Sequence, residues 1–135
     1  MIDTLLDTSA YSALMRGHPL VRQGLREAGD VCMSVVVLGE LRAGFRKGSR
    51  PAENEARLRQ FLAEPRVRVV TVDEETSVRY AVIRVDLERR GRAVSLNDIW
   101  IAATAFQHGL RILTTDPDFR EIPQVLVQQV EAAHS

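Results

Sequence analysis

Residues 95–116 read SLNDIWIAATAFQHGLRILTTD, and this stretch decides the fold. Ser95 is a favoured helix N-cap, and Ile99, Ala102, Ala103 and Phe106 recur at i, i+3, i+4 and i+7, so the spacing predicts a helix from Leu96 to His108 with one apolar face. Gly109 is where such a helix stops. Arg111 to Thr115 then reads as a strand.

The same alternation extends outward in both directions. Upstream, Ile2 to Leu6 predicts a strand, and Asp7-Thr8-Ser9 a turn that caps a helix through Met15. A second helix starts with Pro19 in its first turn and ends near Ala28-Gly29. Val31 to Val35 predicts a buried strand that runs into a helix from Val36 to Phe45, where Leu38, Leu41 and Phe45 share a face and Gly48 closes the element. Pro51 to Leu62 is a polar helix with Glu53/Arg57 and Glu55/Arg59 at pairing distance. Val67 to Val72 is a strand, and Asp73 caps a helix to Arg90 that ends at Gly91. Downstream, Asp116 to Arg120 is a turn and Val125 to Gln129 a last strand before a polar tail. Strands alternating with helices predict an α/β fold, a mainly parallel central sheet flanked by helices. A length of 135 residues suits a single domain, 1–135.

Composition narrows the function. Lys plus Arg and Asp plus Glu are 18 each, so net charge alone grips no polyanion, and a local patch or metal ions must do so. The single cysteine, Cys32, has no internal disulfide partner and lies between Val31 and Met33 in a predicted buried strand, which fits a reducing cytoplasm. No apolar run approaches the roughly 18 to 20 residues of a membrane span, and the first positive side chain is Arg16, so a soluble, unprocessed cytoplasmic protein is expected.

In open parallel sheets, ligands bind at the carboxyl ends of strands, where Asp7 and Asp116 fall. Glu40 and Asp98 stand in stretches that otherwise read as core, VVVLGEL and NDIWIAATA. Glu53, Glu55, Glu75, Asp86 and Glu88 each have an arginine three or four residues away and are ordinary helix-surface acids. Glu40 and Asp98 have none at that spacing, and an unpaired carboxylate in such a setting costs several kcal/mol unless a proton, a distant cation or a metal neutralises it. Each residue also has a plain structural account. Asp7 can cap the first helix, Asp98 completes an S-x-x-D capping box with Ser95, and Asp116 before Pro117 is common turn chemistry, with Asp118 competing for its place. Glu40 has the weakest such account, and one metal site explains all four. Oxygen donors without convergent His or Cys point to Mg²⁺ or Mn²⁺, and hence to a phosphate ester as substrate. His18 and His108 close helices, where surface or helix-dipole roles are expected, and His134 lies in the tail.

The series LLDTSAYSAL, SVVVLGELRAG, SLNDIWIAATA and ILTTDPDF followed by IP resembles the PIN-domain ribonucleases, especially the VapC-type toxins of bacterial toxin–antitoxin pairs. The resemblance covers nearly the whole chain. It implies a PIN-like fold and a Mg²⁺- or Mn²⁺-dependent endoribonuclease cutting RNA. Asp7, Glu40, Asp98 and Asp116 would be the catalytic acids, with Asp7, Asp98 and Asp116 as metal ligands, and Asp118 fills an alternative fourth position. Thr8, Ser9, Thr114 and Thr115 resemble the hydroxyls lining such a pocket. A VapB-like antitoxin and a homodimer are implied as partners. Arg42, Arg46 and Lys47, on the Glu40 helix, are candidate cations for the RNA. A phosphorelay receiver needs a late lysine, and the sole lysine is Lys47. A haloacid-dehalogenase-like phosphatase needs an aspartate where Ser9 stands. The remaining alternative is a non-catalytic RNA- or protein-binding module on the same fold.

Overall fold

The structure is a computed structural model and describes residues 1–132. In chain order it runs β1 (Thr4–Leu6), α1 (Thr8–Met15), α2 (Pro19–Glu27), β2 (Val31–Ser34), α3 (Val35–Lys47), α4 (Pro51–Leu62), β3 (Val67–Val70), α5 (Glu74–Arg89), α6 (Leu96–His108), β4 (Arg111–Thr114), a 3₁₀ turn (Pro117–Glu121) and β5 (Leu126–Gln129). The strands form one sheet in the order β3-β2-β1-β4-β5. Every pairing is parallel.

The central strands are apolar because both faces are covered. Leu5, Leu6, Cys32, Met33, Ile112 and Leu113 are all fully buried, each large aliphatic side chain contributing about 1.5–3 kcal/mol on burial. Leu5 stands between Cys32 and Ile112 in register. β3 is an edge strand and lacks that cover, with Arg68 and Val69 exposed. It ends at Val70, two residues before the alternation suggests. Val35 belongs to α3 and not to β2, because the Ser34 hydroxyl accepts the Val36 N–H (3.1 Å) and starts the helix there. β1 starts at Thr4 and β5 at Leu126, each later than expected.

Three expectations need correction. His18 is neither a helix-closing nor a surface residue. It is buried and caps the start of α2, its Nδ1 accepting from the N–H groups of Leu20 and Val21. Its Nε2 lies 2.7 Å from the Glu131 carbonyl, tying the segment after β5 to the α1–α2 corner. Glu53 pairs with Arg50 (3.6 Å) and not Arg57, whose guanidinium instead donates to the Met15 carbonyl. Arg42 is engaged by Glu55 (3.0 Å), which also meets Arg59, so it is not a free cation on α3. The expected surface pairs Arg79–Glu75, Arg84–Glu88 and Arg90–Asp86 are present.

Strand order runs outward from β1 through β2 and β3 on one side and through β4 and β5 on the other. The crevice between the carboxyl ends of β1 and β4 is therefore the topological switch point of the sheet. Asp7 directly follows β1, and Thr114 ends β4. Among the described residues, no helix is long and apolar enough to cross a membrane.

Candidate active site

Asp7 does two jobs with two oxygens. Its Oδ1 accepts the Ala10 N–H (2.8 Å) and caps α1, while its Oδ2 accepts the Thr114 hydroxyl (2.6 Å). The Ser9 hydroxyl donates to the same carboxylate (2.9 and 3.0 Å) and accepts the Thr115 N–H (3.1 Å). These donors favour the charged form, yet burial outweighs them, and the Asp7 carboxyl sits above the ordinary carboxylate range. The Asp116 charge adds to the rise. The helix-cap account of Asp7 is thus true and does not exclude a role in the pocket.

Thr114 joins the two strand ends. Its hydroxyl donates to Asp7 and accepts the Asp116 N–H (2.8 Å), which draws the segment after β4 toward β1. Asp116 in turn starts the 3₁₀ turn, its Oδ1 accepting the Asp118 N–H (2.9 Å). Ligand oxygens of Asp98, Asp116 and Asp118 all lie within 4.8 Å of one another. That group contains Asp118 and not Asp7, which is buried.

Asp98 is on the first turn of α6, where Ser95 is the N-cap and its hydroxyl accepts the Asp98 N–H (3.2 Å). The carboxylate does not return a bond to the Ser95 N–H, so the reciprocal half of a capping box is missing. It faces the other acids instead. Burial first, then the charges of Asp116, Glu40 and Asp7, push its pKa up to about 7, against a lowering contact from Ser95.

Glu40 reaches this region from α3 and is half-buried. The Thr8 hydroxyl donates to its Oε1 (2.6 Å) and the Asn97 side-chain amide to its Oε2 (3.1 Å). Among the described residues, no Lys, Arg or His forms an ion pair with Asp7, Glu40, Asp98, Asp116 or Asp118. Asn97 escaped the sequence reading. The available signal was its position next to Asp98, which puts it on the open side of the first turn of α6.

The donor set suits a hard divalent cation: converging carboxylate oxygens, no His or Cys among them in the described residues, and a carboxyl raised toward neutrality by burial and by its acidic neighbours. A parallel α/β layer with an acidic crevice at its switch point, its acids in no ion pair among the described residues, is the class these features define. The PIN domain family matches residues 4–125, and the chain belongs to that family. It is 40% identical over 95 residues to ribonuclease VapC4 of Mycobacterium tuberculosis, covering 70% of this chain and 73% of that one. Among solved structures, VapBC2 from Rickettsia felis bound to a promoter DNA fragment has the same fold. The TM-score is 0.85 at 23% identity, over 96% of this chain and 100% of that one. DNA-bound VapBC from Salmonella typhimurium aligns with a TM-score of 0.83 at 26% identity, over 96% of this chain and 98% of that one.

Proposed function

We propose that this chain is a Mg²⁺- or Mn²⁺-dependent endoribonuclease that hydrolyses RNA phosphodiester bonds, and that it is the toxin of a toxin–antitoxin pair. The observation that carries the reading is the convergence of Asp98, Asp116 and Asp118 oxygens within 4.8 Å, with none of the three in an ion pair among the described residues. Family membership and a relative named ribonuclease VapC4 support the reaction class. The VapBC complex from Salmonella typhimurium supports a small antitoxin as partner.

Asp98 and Asp116 would hold the ion, with Asp7 on the buried side and Asp118 at the rim. When bound, a divalent ion offsets the phosphate charge and acidifies water for in-line attack. The chain's own groups arrange the pocket. The Ala10 N–H and the Ser9 and Thr114 hydroxyls fix Asp7 in one rotamer. Thr8 and Asn97 aim Glu40 at the same crevice. Asp98, with a pKa near 7, gives up its proton at little cost when a cation arrives. Among the described residues, no His or Lys pairs with these acids to serve as a metal-free acid and base.

The test is cleavage of single-stranded RNA by clean protein in Mn²⁺ or Mg²⁺ and in EDTA, with Asp98→Asn beside it. Cleavage that needs the ion and disappears in the variant is expected. Undiminished cleavage in EDTA would overturn the metal reading, and RNA binding without cleavage would leave a non-catalytic module. The toxin reading predicts growth arrest on overexpression that Asp98→Asn relieves, and the homodimer reading predicts dimer mass in light scattering.

A further inference from the structure

RNA must reach an acidic crevice on a chain with no net positive charge, so a nearby unpaired cation is required to draw the strand in. Three cations on α3 were candidates. Arg42 is held by Glu55 through its Nε and a terminal nitrogen. Arg46 is exposed and is not among the residues that line the groove beside Glu40. Lys47 differs from both. It has no ion pair among the described residues, and it lines the same groove of about 560 Å³ as Glu40, a groove that runs along α3 from Val35 and Val36 to Lys47.

The geometry of α3 makes this groove a track. Glu40 and Lys47 are seven residues apart, so they share one helix face about 10 Å apart along the axis. Ala43 and Gly44 form the floor between them, Gly39 continues it on the far side of Glu40, and Asn97 of α6 lines it beside Glu40. A Cβ built on Gly39 or Gly44 meets nothing within 4 Å, so the floor is open to solvent.

We infer that the groove along α3 from Glu40 to Lys47 carries the RNA strand next to the bond being cut, with the Lys47 ammonium pairing with a backbone phosphate. The inference rests on the ribonuclease reading above. It adds which way the strand leaves the crevice and which side chain holds it. Asn97 donates its amide hydrogen to Glu40 at the crevice end of this track, which occupies one oxygen of that carboxylate. Lys47 is a binding residue and touches no reacting atom, so its loss weakens RNA binding and raises KM while leaving kcat near its original value.

The experiment measures binding of a fluorescein-labelled, mixed-sequence single-stranded RNA by anisotropy over a salt series. An Asp7→Asn background prevents cleavage, and Lys47→Gln, Lys47→Arg and Arg42→Gln are compared on it. Lys47→Gln is expected to weaken binding about three- to tenfold at low salt and to flatten the slope of log K against log salt by about 0.7, the share of one single-strand phosphate. Lys47→Arg keeps the slope, and Arg42→Gln changes neither quantity. An unchanged slope and affinity in Lys47→Gln would overturn the inference. So would a change confined to the oligomeric state in light scattering, which would make the groove a contact between copies. Failure of the parent chain to cut RNA in Mn²⁺, with the Lys47 slope effect present, would sink the nuclease reading and leave the groove standing.

Discussion

The N-termini of α5 and α6 use the same chemistry to opposite ends. At α5 the Asp73 carboxylate accepts the Thr76 N–H (3.1 Å), the Thr76 hydroxyl accepts the Asp73 N–H (3.0 Å), and Gln107 adds an amide hydrogen (2.8 Å). The box is closed, and these bonds hold Asp73 below the ordinary carboxylate range, with the Gln107 contact foremost. At α6 a serine takes the cap and frees the acid three residues on. Asp98 then turns into a crevice of other acids and rises to about 7. An aspartate at a helix start is a stabilising cap in one place and a stored repulsion in the other. What separates them is the company each carboxylate keeps.

The largest effect that can break this comparison is on activity. Asp98→Asn should lower metal-dependent RNA cleavage at least about a hundredfold, more than the loss of an outer-sphere partner costs, whereas Asp73→Asn should cleave RNA at the wild-type rate. Equal losses in both would mean that Asp98 acts only through the fold. Next comes stability in metal-free buffer at pH 8, read by thermal melting. Asp98→Asn should gain about 1–2 kcal/mol, below the full proton-linkage value because solvent screens a half-buried carboxyl. Asp73→Ala should melt lower, since it loses the cap. A destabilised Asp98→Asn would make Asp98 a cap after all.

The pH windows should also run in opposite directions. Asp98 binds its proton more tightly folded than unfolded, so its contribution is favourable at low pH and is lost as pH rises from about 4 to about 7. Asp73 is lowered, so its contribution is present above the unfolded pKa and is lost as pH falls through the folded one. Subtracting the melting profile of each variant from that of the wild type isolates each window, and a flat difference for Asp98 between pH 4 and 7 would contradict the account. The smallest effect is at Glu53, whose exposed pair with Arg50 is worth at most about 0.5 kcal/mol. Glu53→Gln should leave both melting and the metal response within that range.

The alternation of strands and helices was legible because buried parallel strands and one-sided helices leave different periods in the chain. Boundaries slipped where local chemistry outweighed the pattern, as when Ser34 drew Val35 into α3. Glu40 and Asp98 were legible as acids without local cations, and Asp7 and Asp116 as acids at strand ends, but the site was not legible as a geometry. Ser95-x-x-Asp98 has the same spelling whether the box closes or stays open, and only the placement of Asp116 and Asp118 decides which. Asp118 enters the three-carboxylate group because the 3₁₀ turn folds it back beside Asp116, a bend that no periodicity announces. His18 read as a surface residue because nothing in the sequence shows that the segment after β5 returns to cover it. Arg42 was misjudged for a similar reason, since helix spacing lists neighbours on one helix and not across two, whereas Glu53 had an arginine on either side at helical spacing and met Arg50 because Arg57 is drawn to the Met15 carbonyl.

The most direct test of the central claim, that these carboxylates are gathered for a divalent cation, is calorimetric titration of Mn²⁺ near pH 7 in two buffers of different ionisation enthalpy. The difference between the buffers counts protons released on binding. Wild type should bind Mn²⁺ and release a fraction of a proton, which Asp98 surrenders, and Asp98→Asn should bind far more weakly and release none. Wild type showing no binding heat, or an Asp98→Asn variant that binds Mn²⁺ with the same affinity and proton release, would contradict it.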